Sequence, residues 1–169
     1  MSRGFVKEDD QEETPLVPPR ADLPEGVINY VTQVGFDELL TEKHNLVKEI
    51  EQLKIADDKD RRIASNYLNA KLQLLSQRIS IAKIIDLTLQ PEDEIRFGAT
   101  VTLKIGAEKK AEKYQIVGVD EADISKGKIA FVSPIAKMLT HKKVGDQVVL
   151  KLAKAERVFK VLNIAYVVK

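Results

Sequence analysis

The feature that most constrains this 169-residue chain is a pair of apolar stripes with helical spacing on either side of a short acidic segment. Apolar residues recur at three- and four-residue steps from Phe36 to Leu53, and again from Leu68 to Ala82. This spacing places apolar side chains on one face of each helix. Two such helices joined by a short polar link predict an antiparallel hairpin closed by an apolar seam.

The link between the two stripes reads Ala56-Asp57-Asp58-Lys59-Asp60. We therefore expect three candidate carboxylates, Asp57, Asp58 and Asp60, at the tip of a projecting arm. At about 1.5 Å per residue, each predicted helix would be roughly 30–35 Å long. An arm that long, ending in acid, is suited to insertion into a partner.

Local signals set the predicted ends of these helices. Thr32 is a candidate N-cap, since its hydroxyl can accept from free amide groups. The first helix is predicted to run to about Ile55, and the second from about Arg61 to Ile85.

The pattern changes to strand alternation near Arg96. Apolar residues occupy every second position from Phe97 to Ile105, which predicts a strand with one buried face. Further strands are expected at 114–119, 128–132, 148–152 and 158–168, with turns at 106–110 and 144–146. Ser133 followed by Pro134 predicts the start of a short helix. The fold class is therefore α+β: a helical hairpin followed by a domain of five strands and one short helix.

These patterns divide the chain into three parts. Residues 1–28 are acidic and rich in Pro, which predicts a flexible tail because the segment buries too little apolar surface to offset its ordering entropy. Residues 29–89 form the hairpin, and residues 90–169 form the C-terminal domain.

Composition narrows the chemistry. With no Cys and only two His, the chain has no thiolate site and little material for zinc or Ser-His chemistry. No apolar run approaches the ~18 residues that a membrane span requires. The N-terminus lacks a signal-peptide core, so a cytoplasmic location is expected.

Charge is unevenly distributed along the hairpin. Residues 27–60 carry 4 basic and 8 acidic side chains, whereas residues 61–90 carry 5 and 1. Two interpretations are open. Opposite charges on the two helices attract and remain solvated, or the basic residues form a patch that binds phosphates, with Arg61, Arg62, Lys71 and Arg78 as its members.

Four segments of the C-terminal part resemble consecutive motifs of one known family. They are Phe97-Gly98-Ala99-Thr100-Val101-Thr102-Leu103, Gln115-Ile116-Val117-Gly118-Val119-Asp120-Glu121-Ala122-Asp123, Ser133-Pro134-Ile135-Ala136-Lys137 and Val144-Gly145-Asp146. Upstream, Val31-Thr32, Gly35-Phe36 and Leu39 are similar to the start of the family's coiled coil, and Ala82-Lys83-Ile84-Ile85-Asp86 to its end. On these motifs, residues 29–166 resemble the bacterial GreA/GreB transcript-cleavage factors, which act in transcription elongation.

The resemblance implies a coiled-coil arm and an FKBP-like domain. In this family the domain grips the rim of the RNA polymerase secondary channel and the arm enters the channel. Two tip carboxylates there help to hold a second Mg²⁺, whose activated water cleaves backtracked RNA. RNA polymerase is thus the implied partner, and the nascent RNA 3′ end could meet the basic patch. The protein would be a monomer without a cofactor of its own, sharing Mg²⁺ with the polymerase. It would not be an enzyme, but at most a cofactor for the polymerase's own RNA cleavage.

The tip departs from the family motif, which reads approximately Gly-Asp-Leu-x-Glu-Asn-Ala-Glu-Tyr. Placing Tyr67 on the motif Tyr puts Asp60 on the motif Asp and Ile63 on the motif Glu. The arm is also shorter by roughly two turns, or about 10 Å of reach. The family's cleavage residues are therefore not assigned to positions of this chain. Regulation by channel occupancy without cleavage is the alternative to stimulated cleavage.

The resemblance also implies a polymerase-contact surface formed by Asp120, Glu121, Asp123, Ser133, Pro134 and Ile135. Turn and helix-capping roles are the simpler interpretation of the same residues.

Two other functions are less favoured. Prolyl isomerisation needs an aromatic-lined pocket, for which the domain offers only Phe97, Tyr114, Phe131, Phe159 and Tyr166. A helical adaptor role needs exposed apolar residues on the outer faces of the arm, where Leu74 and Ile81 are candidates.

Overall fold

The computed structural model describes residues 14–107, 110–151 and 153–168. It begins its regular structure with a short strand, β1 (Asn29–Val31), followed by helices α1 (Gln33–Glu51) and α2 (Asp58–Ser80) and a second short strand, β2 (Ala82–Ile84). Strands β1 and β2 pair in parallel at the base of the hairpin, with Val31 opposite Ile84.

The hairpin is closed by the predicted apolar seam. Leu39 and Leu46 of α1 and Leu68 and Leu75 of α2 are buried in one cluster, to which Val31 of β1 also belongs. At about 1.5 Å per residue, the 19 residues of α1 give an arm roughly 28 Å long.

Both helices begin at capping side chains, but they end earlier than predicted. Thr32 caps α1 as expected, its hydroxyl accepting from the amide of Gly35. Helix α1 ends at Glu51 rather than Ile55, and α2 ends at Ser80 rather than Ile85. The predicted end of α2 was wrong because residues 82–84 pair with β1 as a strand. Their apolar spacing nevertheless continues the helical pattern of α2.

The C-terminal part contains one five-stranded sheet. Its strands are β3 (Thr100–Ile105), β4 (Ala111–Val117), β5 (Lys128–Ala130), β6 (Gln147–Lys151) and β7 (Glu156–Ala165). Their order across the sheet is β5-β4-β3-β7-β6; β4 and β5 are parallel, and the other pairs are antiparallel.

A second core lies under one face of this sheet. Val101, Leu103 and Val161 are fully buried there, together with Ala136 and Leu139 of the short helix α3 (Pro134–Leu139). The α+β class, the five strands and the helix starting after Ser133 are confirmed. Leu152 and residues 108–109, which fall within a predicted strand and a predicted turn, lie outside the described residues.

The part of the N-terminal segment that is described has no helix or strand before β1. It nevertheless contacts the rest of the chain, because Arg20 forms ion pairs with Glu42 of α1 and with Asp120, which follows β4. The predicted flexible tail therefore differs from the structure at Arg20, and residues 1–13 lie outside the described part.

Within the described ranges, none of the helices is long and apolar enough to cross a lipid bilayer.

Candidate functional site

Two of the three predicted tip carboxylates have local structural roles. Asp57 is the N-cap of α2, and its Oδ1 accepts from the amide of Asp60 at 2.9 Å. Asp58 forms an ion pair with Arg61, whose guanidinium also donates to the carbonyl of Ile55 at 3.2 Å. These contacts hold the turn between the helices against the start of α2. They also use carboxylate oxygens that the sequence analysis had expected to face a partner.

The tip is also close to neutral. Residues 48–62 contain five basic and five acidic side chains. The arm therefore ends in a balanced mixture of charge, and the expectation of an acidic tip is too simple. The three aspartates were predicted as tip acids only from their position between the two helices.

An open apolar groove lies between the helices beside these aspartates. Ile63 is 54% exposed at this groove. The groove has a volume of about 740 Å³ and is lined by Glu49, Gln52, Leu53, Ile55, Asp60, Ile63, Ala64, Tyr67 and Leu68. The tip thus presents an exposed apolar side chain at an open groove.

The base of the arm is joined to the sheet domain by a buried charge network. The carboxylate of Asp120 is only 6% exposed and accepts from Arg20 at 3.0 Å and from Arg78 at 3.3 Å. Arg20 also binds Glu42 through both terminal nitrogens, at 2.8 and 3.0 Å. Chiefly this Glu42 hydrogen bond, supported by the charge of Asp120, raises the pKa of Arg20 above its ordinary value. One guanidinium therefore links the N-terminal segment, the arm and the domain.

Glu121 makes a second link between the same parts. Its side chain is 3% exposed, accepts from Lys128 at 3.0 Å and accepts from the hydroxyl of Thr32. Gly35 permits this contact, since a Cβ there would lie 2.6 Å from the Glu121 carboxylate. The carboxylate thus lies at the N-terminus of α1, where the helix dipole favours negative charge.

Aromatic packing completes this joint between arm and domain. Tyr30 of β1 contacts Phe97 at 5.9 Å and Phe131 at 5.6 Å, measured between ring centroids, and Phe97 also contacts Phe131. Two of the aromatic residues considered for an isomerase pocket are therefore packed against the arm, and a third, Phe159, is buried in the core.

The predicted partner-contact residues fall into two groups. Asp120 and Glu121 turn inward into the joint, where their oxygens are occupied by Arg20, Arg78, Thr32 and Lys128; their side chains are not on the surface. The family resemblance implied that both residues belong to a polymerase-contact surface, whereas in the structure both side chains lie within the joint.

The remaining contact candidates are closer to the surface. Asp123 accepts from the amide and hydroxyl of Ser125, and the hydroxyl contact lowers the pKa of Asp123. Ser133 caps α3, Pro134 is exposed, and Ile135 is half-buried against the core. Because β4 and β5 run parallel, the loop after β5 lies at the same edge of the sheet as the joint.

The predicted basic patch is not brought together. Arg61 and Arg78 lie 17 residues apart on α2, or about 25 Å along the helix axis. Arg78 is 14% exposed and bound to Asp120 and to the carbonyl of Ala21. Arg61 binds Asp58, and the ammonium group of Lys71 lies 5.6 Å from the ring centre of Tyr67. Arg62 is exposed near the tip.

Arg20, Thr32 and Lys128 were not predicted from the sequence as joint residues. The one sequence signal for the joint was Gly35 in the first turn of α1, since a glycine there allows another group to approach the helix closely. Of the two adaptor candidates, Leu74 is half-buried, and Ile81 is exposed but follows the last residue of α2. The described residues contain no group of three His, Cys, Asp or Glu arranged to hold a metal ion.

Together, the fold and the joint define a class of protein: a two-helix arm fixed by buried charges to a small five-stranded α+β domain. Comparison with known proteins is more specific. Residues 90–166 match the family model described as "Transcription elongation factor, GreA/GreB, C-term".

Two relatives match along most of their length. Transcription elongation factor GreA of Syntrophus aciditrophicus is 34% identical over 156 residues, covering 79% of this chain and 92% of the relative. The protein of the same name from Nitratiruptor is 33% identical over 141 residues, covering 79% and 86%. The chain belongs to the GreA/GreB family.

Solved structures of the family are also similar. GreA factor homolog 1 of Thermus thermophilus has a TM-score of 0.39 at 23% identity, covering 80% of this chain and 97% of that one. A GreA/GreB factor from Nitrosomonas europaea has a TM-score of 0.42 at 13% identity, covering 81% and 98%.

Proposed function

We propose that this protein is a transcription elongation factor that binds RNA polymerase at its secondary channel and modulates elongation and arrest. The names of its relatives support this role. The observation that carries it is the joint, where Asp120 and Glu121 fix the arm to the domain through buried ion pairs and hydrogen bonds. An arm inserted into a channel must keep a set angle to the surface that anchors it, and a rigid joint provides this at little entropic cost.

The proposal gives each part a role. The loop from Ser133 to Ile135, with Asp123, would contact the channel rim, and the arm would occupy the channel. The protein would act as a monomeric cofactor of the polymerase rather than as an enzyme. We also propose a cytoplasmic location, because the proposed partner works there, and contact of Arg61, Arg62 and Lys71 with the RNA 3′ end.

A specific observation favours a second candidate, channel occupancy without stimulated RNA cleavage. Mg²⁺ shared with the polymerase would require oxygen ligands from the tip at about 2 Å. Ile63 supplies none, Asp57 caps α2, and Asp58 binds Arg61. Of the three aspartates, only Asp60 has a carboxylate without a partner among the described residues. The described tip residues therefore fit a shared metal ion poorly, and occupancy needs only the shape of the arm.

The test is incubation of the full chain with a stalled, backtracked elongation complex in the presence of Mg²⁺. Release of short 3′ RNA fragments would support stimulated cleavage. Polymerase binding without fragments, unchanged when Asp57, Asp58 and Asp60 are all replaced by Asn, would support occupancy.

Two controls make the result specific. Asn at position 57 can still cap a helix, so the triple variant should remain folded. A variant with Ser133→Ala and Pro134→Ala should weaken polymerase binding while leaving the tip intact. Failure of the wild-type chain to bind polymerase at all would contradict both versions of the proposed function.

A further inference from the structure

One face of the five-stranded sheet carries an exposed cluster of lysines. The inner face holds the core, and the side chains that alternate with the core residues point outward. On this outer face, Lys104 of β3 lies directly opposite Lys160 of β7, and Lys113 of β4 lies opposite Thr102, two residues from Lys104 along β3. All three lysines are exposed. Cross-strand neighbours have Cβ atoms about 5 Å apart, so three positive charges share a small area.

The cluster lacks compensating charge within the part of the chain that the structure describes. None of the three lysines forms an ion pair with a described residue. Like charges directly opposite each other on a sheet are destabilising. The fold therefore keeps a charge arrangement that does not help its own stability.

The immediate surroundings of the cluster are uncharged. Hydrogen-bonding residues occupy most of the neighbouring outward positions, namely Thr100, Thr102, Gln115, Gln147 and Asn163. The other neighbours are small or aliphatic: Ala111 lies opposite Lys104, and Val149, Val158 and Leu162 are exposed nearby. Lys110 and Lys154 lie in the turns that follow β3 and β6, at the sheet edge away from the arm. Glu156, opposite Lys151, is an acidic residue at the end of this face, and the pair Val149 and Val158 separates it from Lys160.

This composition distinguishes between two kinds of macromolecular partner. Centres of protein interfaces are depleted in Lys and enriched in aromatic residues. The described outward positions around the three lysines contain no aromatic side chain, because Tyr114 and Phe159 face the core. Lysine, threonine and asparagine side chains without aromatic anchors are instead typical of contacts to phosphate and sugar.

We propose that the outer face of this sheet, centred on Lys104, Lys113 and Lys160, binds the phosphodiester backbone of nucleic acid without reading its sequence. Binding is electrostatic, because each lysine that neutralises a phosphate releases a condensed counterion. The absence of stacking side chains from the described outward positions makes duplex DNA a better ligand than single-stranded RNA of the same length. The three lysines belong to neither the arm nor the joint, and the proposal goes beyond the proposed function.

The experiment measures binding of the free full-length protein to a fluorescent 20-base-pair DNA duplex over a range of salt concentrations. The variant carries Lys104→Gln, Lys113→Gln and Lys160→Gln. Because this variant neutralises three fewer phosphates, at about 0.9 each, the slope of log K against log salt should become shallower by about 2.7. Affinity at low salt should fall at least tenfold.

A matched control removes the same charge elsewhere. Lys43, Lys48 and Lys54 are exposed on or just beyond α1, and their replacement by Gln should leave the slope within about one unit of wild type. Thermal unfolding should give the lysine-cluster variant a Tm equal to or above that of wild type, since repulsion is relieved. This separates loss of binding from loss of folding.

Three outcomes of the duplex measurement would each overturn the proposal: wild-type protein that does not bind the duplex, a cluster variant that binds like wild type, or an equal decrease in the control. Single-stranded RNA of 20 nucleotides and polyglutamate of similar charge serve as further probes. Polyglutamate binding as tight as duplex DNA would assign the face to acidic protein segments instead. Because polymerase is absent throughout, the result does not depend on the proposed function.

Discussion

At the scale of single residues, Gly118 controls how closely the domain approaches the base of the arm. A Cβ at this position would lie 2.6 Å from the backbone carbonyl oxygen of Tyr30, closer than real contacts allow. Because both atoms belong to backbone or are fixed to it, the clash cannot be relieved by rotating a side chain.

We therefore predict that Gly118→Ala destabilises the protein by about 1–3 kcal/mol, the usual cost of inserting a methyl group into a packed contact. Chemical denaturation measures the free energy of unfolding. A variant with wild-type stability would mean that β1 is not held against the loop after β4.

Asp57 is predicted to act mainly as a helix cap. Asp57→Ala should lower stability by about 1 kcal/mol, because the amide of Asp60 loses its acceptor. Asp57→Asn retains the capping oxygen and should stay within a few tenths of a kcal/mol of wild type. Thermal unfolding measures both variants, and an equal decrease in the two would contradict the capping role.

At the scale of elements, the N-terminal segment is fastened to the joint through Arg20. This residue contacts α1 and the loop after β4 at once, so its removal should loosen the angle between arm and domain. We predict that Arg20→Gln costs about 1.5–3 kcal/mol, the value of hydrogen bonds to charged groups. Arg78 remains on Asp120 and limits the effect.

Hydrogen exchange is the informative measurement for this variant. Protection should fall at β1, at the first turn of α1 and at residues 118–121, while the sheet core is unaffected. Arg20→Lys is the matched control, since it keeps the charge but cannot bind Glu42 through two nitrogens. Unchanged hydrogen exchange at the joint in Arg20→Gln would show that the N-terminal segment does not stabilise the joint.

The contrast between predicted and missed elements has a physical reason. The hairpin and the strands of the sheet have long periodic patterns, so their type could be predicted from the sequence. Strands β1 and β2 have three residues each, too few to establish a period, and β2 continues the apolar spacing of α2. Their pairing depends on the hairpin bringing residues 29–31 and 82–84 together.

The joint could not be predicted because its partners are distant in sequence. Arg20 and Asp120 are 100 positions apart, and Thr32 and Glu121 are 89 apart. The sequence itself indicated only a turn at Asp120 and Glu121, and the surface role came from the family resemblance. Capping residues, by contrast, act within four positions, and Thr32 and Ser133 were assigned correctly.

At the scale of the whole molecule, two separate cores are connected by a joint of buried charges and packed aromatic rings. The apolar seam of the hairpin stiffens the arm, and the sheet core supports the domain. The ion pairs between the two cores fix the orientation of the arm relative to the domain, whereas the cores themselves bury most of the apolar surface. This arrangement suits a factor whose arm must reach a defined point inside a larger partner.

The most direct test of arm insertion uses the absence of cysteine from the chain. A single Cys in place of the exposed Lys59, at the first turn of α2, can carry an iron chelate that generates hydroxyl radicals locally. In a complex with RNA polymerase, we predict cleavage of polymerase chains next to the catalytic centre, whereas the same label at Lys154 in the domain should mark only the outer surface. Cleavage from the Lys59 position confined to the polymerase exterior would contradict insertion of the arm.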